Sequence, residues 1–158
     1  MTQDEIKRIV SNTVSALRTN KRVMTLTLAE QIADATLKKA RQMGVKAVVC
    51  VSDAAGNPKV VKCMDDAYIA SYDVAVNKAF TVVALKMSTI ALKPLAQPNG
   101  SLYGIQFTNG GRIVIFGGGD PLITPEMAII GGVGVSGGSE AQDTELSRFA
   151  AEYYKDLA

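Results

Sequence analysis

At 158 residues, 47% hydrophobic and with a net charge of +2, the chain suits one well-buried domain and is short for two. It contains no histidine and no tryptophan, which excludes Ser-His-Asp and Cys-His catalysis, histidine zinc centres and the commonest haem ligand. Two cysteines, Cys50 and Cys63, exclude a disulfide scaffold and read as reduced, mostly buried thiols, and nine basic against four acidic groups before residue 47 make no dense basic patch, which argues against nucleic acid.

The N-terminus, MTQDEIKRIV, is charged and has no signal-peptide core. No apolar run reaches the roughly 18 to 20 uncharged residues of a membrane span, so a cytoplasmic protein without membrane contact is expected. Residues 2–19 read as an amphipathic helix, with Ile6, Ile9, Val10, Thr13, Val14 and Leu17 on one stripe and Thr2 with Glu5 as a capping box. The basic stretch Thr19-Asn20-Lys21-Arg22 separates this helix from the rest, which divides the chain into an arm, 1–22, and a domain, 23–158. The arm's stripe must be covered, by its own domain, a subunit interface or another protein.

A second helix is expected from Thr27 as cap, with Glu30 at the third position, to a stop at Gly44. Val45 to Val51 and Lys59 to Met64 flank Asp53-Ala-Ala-Gly56 and predict an antiparallel hairpin. Asp65 or Asp66 then reads as the cap of a long helix whose stripe is Ile69, Tyr72, Val76, Phe80, Val83 and Met87. Lys78 within it is either a solvated residue or a charge reaching into a pocket.

Ser88 to Gly100, with Pro94 and Pro98, is a connector with room for a short helical turn. Leu102 to Phe107 and Arg112 to Phe116 are predicted strands joined at Asn109-Gly110, and a further strand runs from about Met127 to Val135. A closing helix buries Leu146, Phe149, Ala150, Tyr153 and Leu157. The expected fold is α+β, with an about five-stranded, largely antiparallel sheet packed with helices.

Ten of the fourteen glycines fall between Gly110 and Gly138, and this stretch is the candidate ligand site. Gly117-Gly118-Gly119-Asp120-Pro121 reads as a sharp, bared loop, or as a place of close packing. Ser136 to Ser139 leads into the closing helix, with Ser139 and Gln142 as a capping box and free N–H groups as a candidate anion site. Gly132-Val-Gly134-Val-Ser-Gly137 matches the dinucleotide fingerprint but lacks the second strand and acidic residue of a βαβ unit, and no Gly-Lys-Ser/Thr marks a P-loop.

These pieces carry a resemblance. LTLAEQIADATLKKARQMG (26–44), VVCVSDAAGNP (48–58), KCMDDAYIASYDVAVNKAFT (62–81), GGGDPL (117–122) and GGVGVSGGSEAQD (131–143) look like the GlcG/HbpS family, also found as the C-terminal domain of PduO-type corrinoid adenosyltransferases. The resemblance covers about residues 24 to 156. It implies a profilin-like fold, a homo-oligomer built from dimers up to octamers, and haem binding, redox sensing or a role beside glycolate, diol and glycerol catabolism.

Carried over, the family's Met-Asp-Gly step falls on Met64, Asp65 and, altered, Asp66. Its Lys-Ala pair falls on Lys78 and Ala79, its Gly-Gly-x-Pro-Leu loop on Gly118, Gly119, Asp120, Pro121 and Leu122, and its Gly-Val-Ser-Gly-Gly on Gly134, Val135, Ser136, Gly137 and Gly138. Cys63 replaces the usual arginine. Haem attachment in such proteins is generally attributed to histidine, so iron here must be held by Tyr, Cys, Met or Lys, with Tyr68, Tyr72, Tyr103, Cys63 and Met64 the candidates nearest the proposed pocket.

The reading is a non-enzymatic binding protein for a tetrapyrrole, haem or cobalamin, in a pocket between the long helix and the glycine loops, since no nucleophile–base pair is legible. One alternative is a binder or accessory enzyme for a small anionic or polyol metabolite at Ser136 to Ser139, with Asp65 and Lys78 as polar partners. Another is an assembly component docked through residues 1–22.

Overall fold

Local hydrogen bonding sets most element boundaries in the structure, a computed structural model that describes residues 2–20 and 23–157. Helix α1 (Gln3–Asn20) opens on the expected box, with Glu5 N–H donating to Thr2 Oγ1 at 3.3 Å and Thr2 N–H to Glu5 Oε2 at 2.7 Å. Lys21 and Arg22 of the expected basic separator, and the side chains of Val14 and Leu17, lie outside the described residues. Helix α2 (Leu26–Gln42) is capped by Thr25, whose hydroxyl accepts from Leu28 N–H, and not by Thr27; the chain leaves it at Gly44, φ +68°, as expected.

Strands β1 (Val48–Asp53) and β2 (Pro58–Cys63) make the expected hairpin. Asp53 Oδ1 accepts from Ala55 and Asn57 N–H, and Gly56 turns at φ +79°. Helices α3 (Ser71–Leu85) and α4 (Thr89–Leu95), strands β3 (Gly119–Ile123) and β4 (Ile129–Ser136), and helix α5 (Glu140–Leu157) follow. Neither Asp65 nor Asp66 caps α3: its N-cap is Ala70, without a side-chain bond. Turns through Met64–Ala67 and Tyr68–Ser71, with Asp66 at φ +62°, delay the helix.

The sheet has four antiparallel strands in the order β2-β1-β4-β3, not five. Leu102–Phe107 and Arg112–Phe116 are not strands. Ile105, Phe107 and Thr108 N–H each donate to the carbonyl three residues back, and Asn109, Gly110 and Gly111 all hold φ between +51° and +78°. Three consecutive left-handed residues exceed a two-residue hairpin turn. Val114 N–H goes to Thr81 Oγ1 of α3 instead of a neighbouring strand. The glycine loop supplies the missing strand, since Gly119 to Ile123 pairs with β4 along the sheet edge, where Pro121 is tolerated.

Helices α2 and α5 cover one face of the sheet and α3 the other. The stacking follows from β4, where glycine and valine alternate and successive residues point to opposite faces. Val133 and Val135 join Val49, Val51, Ile32 and Leu146 in the main core, while Gly132 and Gly134 face α3. A Cβ on Gly134 would meet Ala75 O and lie 2.6 Å from Ala79 N; one on Gly132 would lie 2.6 Å from Ala79 O.

These glycines are met by the α3 backbone at Ala75 and Ala79 and by the side chains of Lys78, Val82 and Val83. The buried face of α3 is Ser71, Ala75, Lys78, Ala79, Thr81 and Val82; of the expected stripe, Ile69 and Tyr72 are 97% and 50% exposed, while Val76, Phe80, Val83 and Met87 are half-buried. In α5, Leu146 and Ala150 are buried as expected, joined by Asp143, Thr144, Ser147 and Tyr154, while Phe149 and Tyr153 are only half-buried and Leu157 is exposed. Gly134→Ala, by forcing a Cβ into helix backbone, is expected to lower stability by about 3 kcal/mol, the upper end for overpacking. Urea denaturation reads this as a fallen midpoint; an unchanged midpoint would mean that α3 is not seated on β4.

Candidate functional site

Lys78 is fully buried, the largest side chain so placed. Its ammonium donates to Asp143 Oδ2 at 3.0 Å and to Val135 O at 2.7 Å, and lies 4.9 Å from the Phe116 ring centroid. Burial pushes the Lys78 ammonium down and the Asp143 carboxyl up, and their mutual attraction opposes both shifts. Gly118, at φ +108°, passes so close that a Cβ there would lie 2.5 Å from Lys78 Nζ and 2.8 Å from Val135 O. Gly119 N–H donates to Thr89 Oγ1 at 2.9 Å, and Pro121 pairs with Gly132. The expected pocket between the long helix and the glycine loops is thus filled by Lys78 itself.

The start of α5 is likewise satisfied from within. Ser139 and Gln142 form the expected capping box, with Ser139 N–H donating to Gln142 Oε1 at 2.9 Å and Gln142 N–H to Ser139 Oγ at 3.3 Å. Gly138 N–H donates to Asp143 Oδ1 at 2.9 Å. The carboxylate this turn favours is therefore the chain's own. Ser136 is buried and its hydroxyl donates to Ser71 Oγ at 3.1 Å.

The remaining candidates lie around the entry to α3. A cavity of about 350 Å³ is lined by Lys46, Asp66, Tyr68, Gly137, Gly138 and Gln142 among others. Asp66 pairs with Lys46 at 2.7 Å, and that hydrogen bond holds its carboxyl below the usual carboxylate range. Asp65 is exposed, Met64 is half-buried with its Sδ accepting from Ala47 N–H at 3.3 Å, and Tyr68 and Ile69 are 74% and 97% exposed. The structure therefore brings Asp66, Gly137 and Gly138 to one cavity, Lys78, Gly118 and Gly119 to one interior cluster, and leaves Asp65 and Tyr72 on the surface. Tyr103 belongs to the 101–111 turns, outside the cavity lining.

Asp143, the partner of Lys78, was not among the sequence candidates. Its signal is a polar pair, Asp143 and Ser147, set on the same helical face as Leu146 and Ala150. Ser147 in turn donates to Asp120 Oδ2 at 2.5 Å, and burial raises the Asp120 carboxyl. Among the described residues no group of three or more Cys, Asp or Glu side chains is placed to hold a metal ion, and no single helix is long and apolar enough to cross a membrane.

A family model described as haem degrading protein HbpS-like matches residues 24–152. An uncharacterised 15.0 kDa protein of the dhaT–dhaS intergenic region of Citrobacter freundii is 42% identical over 134 residues, 85% of this chain and 94% of that protein. Corrinoid adenosyltransferase PduO of Salmonella typhimurium is 39% identical over 120 residues, 76% of this chain but 35% of PduO. Among solved structures, a PduOC–haem complex matches with a TM-score of 0.78 at 35% identity, over 82% of this chain and 94% of that one.

The two thiols differ more than expected. Cys50 is buried in β1, and burial pushes its thiol up to about 12, whereas Cys63, last in the edge strand β2 and paired with Val48, is exposed. A thiol reagent at pH 8 should titrate one cysteine per native chain and two in denaturant; two in the native chain would mean that β1 opens. Asp143→Ala, which strands a buried ammonium, is expected to cost about 3–5 kcal/mol in urea unfolding, and Lys78→Met with Asp143→Leu to recover at least half. A loss under about 1 kcal/mol for Asp143→Ala would show that the pair does not anchor α5.

Proposed function

The chain belongs to the HbpS-like family, and from that premise we propose that it is a non-enzymatic ligand-binding protein that takes a tetrapyrrole, haem or a corrinoid, at the entry to α3. The observation that carries this reading is the apolar surface of Tyr68, Ile69 and Tyr72, 74%, 97% and 50% exposed, beside the cavity at Asp66. Exposed aromatic and aliphatic surface of this kind suits a flat macrocycle. The donor chemistry also fits haem, because phenolate and thiolate both ligate haem iron. Tyr68, Tyr72 and the exposed Cys63 are the residues that would hold it, while Met64 Sδ already accepts a hydrogen bond. Bound haem would supply a redox-active iron; the chain's own part is to orient it and shield one face.

A small anionic or polyol metabolite at Ser136 to Ser139 is the weaker reading, because Asp143 and Gln142 already take the Gly138 and Ser139 N–H groups. We place the protein in the cytoplasm as a homo-oligomer of dimers, accessory to diol, glycerol or glycolate catabolism. Residues 1–22 act as a protein-docking arm outside the domain of residues 23–158, a division supported by the family match beginning at residue 24.

Titration with haemin and then aquacobalamin, against an albumin control, tests the reading. Wild-type protein should give a saturable, stoichiometric Soret shift, altered by Tyr68→Phe, Tyr72→Phe or Cys63→Ser. A linear response like that of free haemin, with none from aquacobalamin, would leave the tetrapyrrole reading without support and return the metabolite to first place.

A further inference from the structure

Helix α1 displays an apolar stripe to solvent, with Ile6, Ile9 and Val10 43%, 53% and 54% exposed. An amphipathic helix buries such a stripe. Across the outer surface of the domain, between α2 and α5, runs a groove of about 580 Å³ whose apolar lining is Ala35, Phe149 and Tyr153. The two rings stack with centroids 6.1 Å apart and form a flat wall.

The helix and the groove match in length, and in charge at one end. Helices α1, α2 and α5 have 18, 17 and 18 residues, so α1 can lie along the whole groove. Lys38 and Lys39, the latter 3.2 Å from Glu145 of α5, rim its end nearer the α2 C-terminus with Asp34 further along, and α1 carries Asp4 and Glu5 in its first turn, followed by Lys7 and Arg8. Laid antiparallel to α2 with Val10 against Ala35, α1 brings those carboxylates to those lysines and opposes the two helix dipoles. Because the stripe is exposed in its own chain, the groove it fits belongs to another.

We propose that α1 of one copy lies antiparallel to α2 in the α2–α5 groove of a second copy, and that the second returns the same contact. This rests on the reading of residues 1–22 as a protein-docking arm and names its partner as this chain itself. Reciprocal exchange covers both stripes and closes a two-fold dimer with no surface left to propagate.

Disulfide trapping tests it in the full-length chain with Cys63→Ser throughout. A mass-tagged Val10→Cys chain is co-expressed with an untagged Ala35→Cys chain and oxidised, and a Val10→Cys, Ala35→Cys double variant is oxidised alone. Both substitutions are small and outside the core, and circular dichroism checks that the variants fold. The mixed-mass band should exceed either same-mass band at least tenfold, and the double variant should link between chains. A double variant that links mainly within one chain would overturn the proposal in favour of the chain's own groove. A dominant Val10→Cys homodimer would overturn it too, while leaving the arm a docking element. No link, together with an unchanged light-scattering mass after deletion of residues 1–22, would overturn the proposal and leave the arm a docking element only for a different protein.

Discussion

A lysine ammonium withdrawn from water must be met by fixed charge and aligned carbonyls, or the fold loses several kcal/mol. Lys78 meets that demand with groups from two further elements, the Asp143 carboxylate of α5 and the Val135 carbonyl of β4. Three elements on two faces of the sheet are tied at one point. The contact is made beside Gly118, immediately before β3, where any side chain would block it. Asp143 also accepts the Gly138 N–H, so one carboxylate caps the helix and neutralises the lysine.

The same closeness explains why the glycine-rich stretch is not an open ligand loop. Glycines in β3 and β4 let α3 settle onto backbone, and the space a ligand would need is used by the helix. Large apolar residues of α3 and its lead-in, barred from that contact, are displaced to the rim. Tyr68, Ile69 and Tyr72 are exposed there as a consequence of how tightly the interior is packed. The candidate binding surface is thus the outward side of a packing constraint.

Family membership accounts for the order of the motifs, and two departures mark this chain. Asp66 stands where the resembling motif has glycine, and its φ of +62° is the left-handed conformation that glycine adopts freely and aspartate tolerates. Its exposed ion pair with Lys46 holds the side chain over the cavity. With no histidine in the chain, any iron ligation falls to Tyr, Cys, Met or Lys, and the structure leaves Tyr68, Tyr72, Tyr103 and Cys63 exposed.

Much of the fold was determined by local chemistry that needs only neighbours in sequence. The Thr2–Glu5 and Ser139–Gln142 boxes, the Asp53-to-Gly56 turn and the stop at Gly44 are short-range hydrogen-bonding events, and each is found at its expected place. The β4 strand and the closing helix were legible from composition and period. What failed were the caps placed at Thr27 and at Asp65 or Asp66, and several inferences that needed to know the partner surface. Apolar periodicity placed Ile69 and Tyr72 inside α3 because it assumes a partner with side chains, whereas the partner is glycine backbone. The hairpin signal at Asn109-Gly110 was real as a turn, but it lacked flanking strands, since Val114 bonds to α3 instead. The burial of Lys78 and the choice of Asp143 as its counter-ion were settled only by tertiary structure, because they depend on groups 65 residues apart meeting where water is excluded.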